Sequence, residues 1–244
     1  MPIKTKKCIF PGVSEVKEIL VPDNEPCDVW LKWEKVIKDF IISRINNTTN
    51  FLDIGANIGY FSLWAATRAM TVFAAEPNPS VFEILRLNSG LFKNIFPYNV
   101  AISDTVRTDK FYYRDYAHGD GRLYDPKEHN PGDGNVYTNK VIPVETLSSF
   151  QEKYCNGQPI DFIKMDCEGS EHEILKDIEF FRKSQNEKCE VMLELHGPMI
   201  EMRGYSYKQF LDYLESNFRI YDLSGSSYSV QDIPARGHIV LRKR

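Results

Sequence analysis

Long apolar runs are missing from this 244-residue chain, and with no stretch of about 18 consecutive apolar residues, no membrane-crossing helix is expected. The early lysines Lys4, Lys6 and Lys7 are not followed by an apolar h-region, because Pro11, Gly12, Ser14 and Glu15 interrupt it, and no secretion signal is expected. Cysteine is sparse: Cys8, Cys27, Cys155, Cys167 and Cys189 are odd in number, widely spaced and without a C-x-x-C pair. That argues against a disulfide framework and a zinc knuckle, so the expectation is reduced thiols in a cytoplasmic protein. Blocks of one charge are also lacking. Thirty Lys and Arg against 34 Asp and Glu, interspersed to a net charge of -4, leave no electrostatic footprint for DNA or RNA, and nucleic acid is disfavoured as a partner. No repeat or low-complexity tract divides the chain. What remains is an ordinary globular composition, 42% hydrophobic and 26% charged, long enough for one large α/β domain.

From Asp28 to Ile45, the residues Val29, Trp30, Trp33, Val36, Ile37, Phe40 and Ile41 recur at three- and four-residue intervals, the period of an amphipathic helix. Residues 1–50 are therefore expected to form a helical extension packed on a domain spanning 51–244. Short apolar runs then alternate with helical periods. Strands are expected over 51–54, 71–75, 97–102, 160–165 and 190–195, with two late ones near 219–223 and 238–241. Ser170 with Glu173, and Ser206 with Gln209, read as capping boxes opening two of the helices. Alternating strands and helices predict a mostly parallel, doubly wound sheet. Residues Tyr113 to Lys140 break the pattern with Gly119, Gly121, Pro126, Pro131, Gly132 and Gly134, and are expected to form one long acceptor-side loop flanked by strand-like Arg107 to Tyr112 and Val141 to Val144.

Asp53-Ile54-Gly55-Ala56-Asn57-Ile58-Gly59 stands where a strand turns into a helix, and its glycines let the backbone pass close to a ligand at the carboxyl end of the sheet. A dinucleotide fingerprint wants glycine where Asn57 stands, because a pyrophosphate presses on that backbone, so a nicotinamide oxidoreductase is disfavoured. S-adenosylmethionine carries no phosphate and tolerates the Asn. Its amino acid moiety is expected against Asp53 and the turn residues Gly55, Ala56, Asn57 and Gly59. Glu76, followed by Pro77 and Asn78, is placed to accept both ribose hydroxyls, and Ala101, Ile102 and Asp104 to meet the adenine edge.

Phe51 to Tyr60, Glu76-Pro77-Asn78-Pro79, Ala101-Ile102-Ser103-Asp104 and Asp161 to Glu171 resemble, in this order, the motifs of the FkbM family of methyltransferases, over about Phe51 to Glu194. The I-K-x-D-x-E-G-x-E segment is the family-specific one. The resemblance implies a Rossmann-like class I methyltransferase fold with a mostly parallel seven-stranded doubly wound sheet. It also implies S-adenosylmethionine-dependent O-methylation of a sugar, glycan or polyketide-like small molecule, with S-adenosylhomocysteine as product. Cys167 replaces an aliphatic residue of the family and is expected to face the core.

Methyl transfer to an alcohol needs alignment and removal of one proton. Asp166 ends its strand beside the turn, on the same face as Lys164, and His196 follows Glu194 by two at the next strand end. His196, as a neutral imidazole at pH 7, is the expected base, in a cluster with Asp166 and Glu168. Glu171 and Glu173 are accounted for by the helix macrodipole alone. A divalent ion on Asp166, Glu168, Glu194 and His196 is the less favoured variant, and no metal is assigned. His118, Arg122 and His129 read as parts of a mobile polar loop whose tyrosines suit stacking on a sugar ring. The rival reading is a non-catalytic nucleoside- or partner-binding module, against which Asp53, Gly55, Gly59, Glu76 and Asp166 all argue by being present.

Overall fold

The computed structural model describes the chain except for residues 1–2, 12–16, 25–33, 115–116, 131 and 133. Alternation in Thr5–Phe10 (β1) and Lys17–Pro22 (β2) turns Cys8, Phe10, Ile19 and Val21 inward, and the two strands pair as an antiparallel hairpin. Helix Lys35–Arg44 (α1) buries Ile37, Phe40 and Ile41 while Val36 is exposed; the expected helical positions Val29, Trp30 and Trp33 lie outside the described residues. The extension is thus hairpin as well as helix, a correction carried by the period-two alternation of these short segments. Cys8 is disulfide-bonded, whereas Cys155, Cys167 and Cys189 are free. This corrects the expectation of reduced thiols throughout, since an odd count without a spacing pattern does not preclude a single bridge.

The main domain runs β3 (Asn50–Ile54), α2 (Tyr60–Ala66), β4 (Thr71–Ala75), α3 (Pro79–Ser89), β5 (Ile95–Tyr98), β6 (Ala101–Ile102), β7 (Arg107–Arg114) and β8 (Ala117–Arg122). It continues through α4 (Pro126–His129), β9 (Thr138–Glu145), α5 (Leu147–Tyr154), β10 (Phe162–Met165), α6 (Glu171–Ile174), α7 (Ile178–Arg182) and β11 (Glu190–His196). The last elements are α8 (Gly197–Met202), α9 (Tyr207–Asn217), β12 (Phe218–Tyr221) and β13 (Arg236–Lys243). Seven strands form one sheet in the order β12-β13-β11-β10-β3-β4-β5, parallel except for β13, which is antiparallel to both neighbours.

Side chains of the central strands alternate between two cores. Leu52, Ile54, Ile163, Met165, Val191 and Leu193 pack with residues of α5 to α9, while Phe51, Phe162, Val72, Ala74 and Met192 pack with α1, α2, α3 and the hairpin. The chain leaves β3 toward β4 and β5 on one side and returns to β10 on the other, so the order reverses between β3 and β10. Open α/β sheets bind ligands at the carboxyl ends beside such a switch point.

Residues 113–140 are not one loop. A second sheet, ordered β6-β9-β7-β8, takes up much of them. The glycines that read as loop permit a close strand contact: a Cβ on Gly121 would stand 2.3 Å from two ring carbons of Phe111 on β7. The Ser170–Glu173 capping box is also absent. Ser170 makes no side-chain cap, because the Glu173 N–H donates to the Ser170 carbonyl at 3.0 Å, and the Glu173 carboxylate is drawn to Arg203 and to Ser103 instead of reaching back. Ser206 does cap α9, accepting the Gln209 N–H at 3.2 Å.

Candidate active site

Past the end of β3, the backbone enters the left-handed region at Gly55, Asn57 and Gly59, with φ of 73°, 53° and 96°. At Gly55 only glycine fits, because a Cβ would stand 1.9 Å from the Asp166 carbonyl oxygen on the neighbouring chain segment. The Gly55 and Ala56 N–H groups both donate to the Ala75 carbonyl at 3.0 Å, which locks the turn onto the end of β4. One residue further, Glu76 gathers the turn: Oε2 accepts the Asn57 N–H and Oε1 the Asn78 N–H, each at 2.8 Å. Burial pushes this carboxyl up to about 7, against the two N–H groups, which pull it down.

A cleft of about 680 Å³, open to solvent, lies over these strand ends. Of the expected cofactor residues, Gly55, Asn57, Glu76, Pro77, Asn78, Ala101, Ile102 and Asp166 line it. Phe111, Gly119, Gly121 and Arg122 of the second sheet, Leu123 just after it, and Cys167 and Glu168 also line the cleft. Cys167 packs on the core from the cleft side rather than pointing wholly inward. Arg122, expected in a mobile loop, is buried; the side chain of His118 lies outside those described, and His129 is exposed.

Four expected contacts do not line the cleft. Asp53 is fully buried behind the turn, where Oδ2 accepts the Ser62 hydroxyl at 2.6 Å and Oδ1 stands 3.6 Å from Lys164 Nζ. Ala56 is buried under the turn. Gly59 serves packing, since a Cβ there would meet Leu85 at 2.8 Å. Asp104 turns outward to Arg107 at 3.4 Å.

Charges concentrate where β10 and β11 end. Lys164, almost fully buried, reaches the Gly55 carbonyl at 3.2 Å and Asp166 Oδ2 at 3.4 Å. Burial pulls its ammonium down, but Asp166, Asp53, Glu194 and Glu34 together outweigh that and hold it above its ordinary value. His196 Nδ1 lies 2.7 Å from Glu171 Oε1. Its Nε2 faces Asp166 Oδ1 at 3.8 Å, Glu194 Oε1 at 3.8 Å and Glu168 Oε2 at 3.9 Å. Burial pulls the imidazole down, yet the Glu171 hydrogen bond and the surrounding carboxylates raise it to about 9. Without a cation among these carboxylates the protonated ring is favoured, in contrast to the neutral imidazole expected; a cation bound there would take the place of that proton. Burial also lifts Glu168 to about 7 and raises Asp166. The residue that sequence reasoning passed over is Glu171, which is fully buried. The macrodipole sufficed locally to explain it, and its partner lies 25 residues away.

The methyltransferase FkbM domain profile matches residues 53–220. The chain belongs to the FkbM family of methyltransferases. Its sheet is the Rossmann-like class I methyltransferase fold. No curated protein matches it. Among solved structures, methyltransferase FkbM from Methylobacillus flagellatus KT is 14% identical with a TM-score of 0.49, over 81% of this chain and 44% of that one. This FkbM chain thus spans less than half of that structure. M. jannaschii TYW2 in complex with AdoMet is 14% identical at a TM-score of 0.47, covering 98% and 85% of the two chains. An rRNA methylase from Streptococcus thermophilus is 11% identical at 0.46, covering 85% and 93%. Among the described residues no helix is long and apolar enough to cross a membrane.

Proposed function

We propose that this FkbM protein is an S-adenosylmethionine-dependent O-methyltransferase acting on a hydroxyl of a sugar, glycan or other small molecule. The observation that carries the cofactor assignment is the Glu76 carboxylate in the cleft wall. Each oxygen accepts one backbone N–H and keeps a lone pair, so the acid is held rigidly and can still accept two ribose hydroxyls. Ala101 and Ile102 offer apolar wall to a flat base.

Bound S-adenosylmethionine supplies an electrophilic sulfonium methyl group. The chain's own residues hold the acceptor oxygen, exclude water and take up one proton. Glu168 is assigned that proton: it lines the cleft, at a left-handed φ of 51° where the chain leaves β10 for α6. Asp166 lines the cleft beside it and orients the acceptor. His196 is not part of the wall, so its role is to position these acids rather than to receive the proton. A small-molecule acceptor fits the net charge of -4 better than a polyanion does. Incubation with labelled cofactor and a panel of nucleotide-sugars, glycans, polyketide-like alcohols and RNA, read by mass spectrometry, tests the acceptor. Methyl ethers on saccharide or small-molecule hydroxyls are expected; methylated RNA would overturn the assignment.

A further inference from the structure

We infer that Asp166, Glu194 and His196 form a site for one divalent metal ion of the manganese class, at the edge of the cleft that Asp166 lines. The purpose of the ion rests on the methyl-transfer reading above, whereas its binding does not. Asp166 follows β10, and Glu194 and His196 sit two apart on β11, so neighbouring strand ends bring the three together. Their ligand atoms all lie within 4.8 Å of one another, with His196 Nε2 at 3.8 Å from both Asp166 Oδ1 and Glu194 Oε1. These separations are too long for hydrogen bonds. They suit donors sharing one ion, because bonds of about 2.0–2.2 Å to a common metal leave adjacent donors roughly 3–4 Å apart.

The surroundings of each donor supply the independent support. The second atom of every ligand is already engaged by a residue outside the triad: His196 Nδ1 by Glu171 at 2.7 Å, Glu194 Oε2 by His238 at 3.3 Å, and Asp166 Oδ2 by Lys164 at 3.4 Å. The oxygens left over, Asp166 Oδ1 and Glu194 Oε1, are the two that face His196 Nε2. Glu171 is fully buried, and its Oε2 has no hydrogen-bond partner among the described residues, so an acid is stationed behind the imidazole at a desolvation cost. A carboxylate behind a histidine is the arrangement that orients a metal-ligating imidazole with its other nitrogen toward the ion. Two carboxylates and one imidazole, without thiolate, suit a manganese-like ion with positions open to water or an acceptor oxygen. Glu168 Oε2, at 3.9 Å from His196 Nε2, flanks the site and stays available for the proton.

Electron paramagnetic resonance titration of the chelator-treated full chain with Mn²⁺ alone tests the site. One bound ion per chain is expected. Glu194→Gln and His196→Ala are each expected to weaken it by about tenfold or more, and Glu171→Gln by about 10- to 100-fold, the usual effect of an outer partner. Glu168→Gln is expected to retain the ion. S-adenosylhomocysteine binding by the same variants checks that they are folded. No uptake of Mn²⁺, Mg²⁺ or Zn²⁺ at millimolar concentration by a wild type that binds S-adenosylhomocysteine would overturn the metal site and leave the methyltransferase reading standing. Unchanged Mn²⁺ affinity in folded His196→Ala and Glu194→Gln would also overturn it. Mn²⁺ binding without S-adenosylhomocysteine binding would instead count against the cofactor reading.

Discussion

Glu76 ties two strand ends together and waits for a ligand with the same carboxylate. Because burial lifts it to about 7, a carboxyl that is half-protonated near neutrality must ionise to accept two ribose hydroxyls. The sign follows directly: affinity is weak below 7, where the proton occupies an acceptor site, and grows as pH rises through that value. Between pH 6 and 8, S-adenosylhomocysteine affinity is expected to rise by about tenfold, and Glu76→Gln to flatten the profile. Calorimetry at each pH reads both; a flat wild-type profile would put the ribose elsewhere. Glu76→Ala is expected to cost about 1.5–3 kcal/mol of cofactor affinity at pH 8, as loss of charge-assisted hydrogen bonds does. At Glu168 the expectation is kinetic. Glu168→Gln is expected to lower turnover by about 10²- to 10⁴-fold, the usual worth of a positioned base, with S-adenosylhomocysteine affinity retained. Unchanged turnover would move the proton to Asp166.

Elements hold these residues in register. Phe162 on β10 stacks on Phe51 of β3, with centroids 5.7 Å apart and planes 13° from parallel, and meets Phe40 of α1 at 6.3 Å. Phe162→Ala is expected to destabilise the fold by about 3–5 kcal/mol, measured by denaturant unfolding, because a rigid three-element junction collapses poorly around a cavity. On β8, Gly121→Val is expected to push the strand off Phe111 and lower cofactor affinity together with turnover, since Gly119 and Gly121 line the same cleft. A fall in turnover alone would return β8 to a purely acceptor-side role. The buried parallel strands and the glycine turn were legible in the sequence because they are local: continuous apolar runs such as Phe51–Ile54, then a turn fixed by Gly55. What escaped depends on distant partners. The strand character of residues 117–122 comes from pairing with β7, the burial of Asp53 from Lys164 opposite it on β10, and the burial of Glu171 from an imidazole on β11. No local period encodes such pairings.

In the whole molecule, the amino-terminal extension is bound to the domain at several separate points. Asn88 exchanges hydrogen bonds with the Leu20 backbone at 2.7 and 3.0 Å, and Arg44 pairs with Glu190 at 3.0 Å. Phe10 lies against Trp64 and Phe92, so the hairpin covers one face of the same core that supports the turn from Gly55 to Gly59. Residues of the second sheet line the same cleft as the strand ends, together with Asp166 and Glu168. The central claim is that this cleft is an S-adenosylmethionine site. Calorimetric titration of the full chain with S-adenosylhomocysteine, and in parallel with NAD, tests it most directly. One site for S-adenosylhomocysteine, weakened by Glu76→Ala, and no binding of NAD is the predicted result; no heat with S-adenosylhomocysteine, or tighter binding of NAD, would contradict the account.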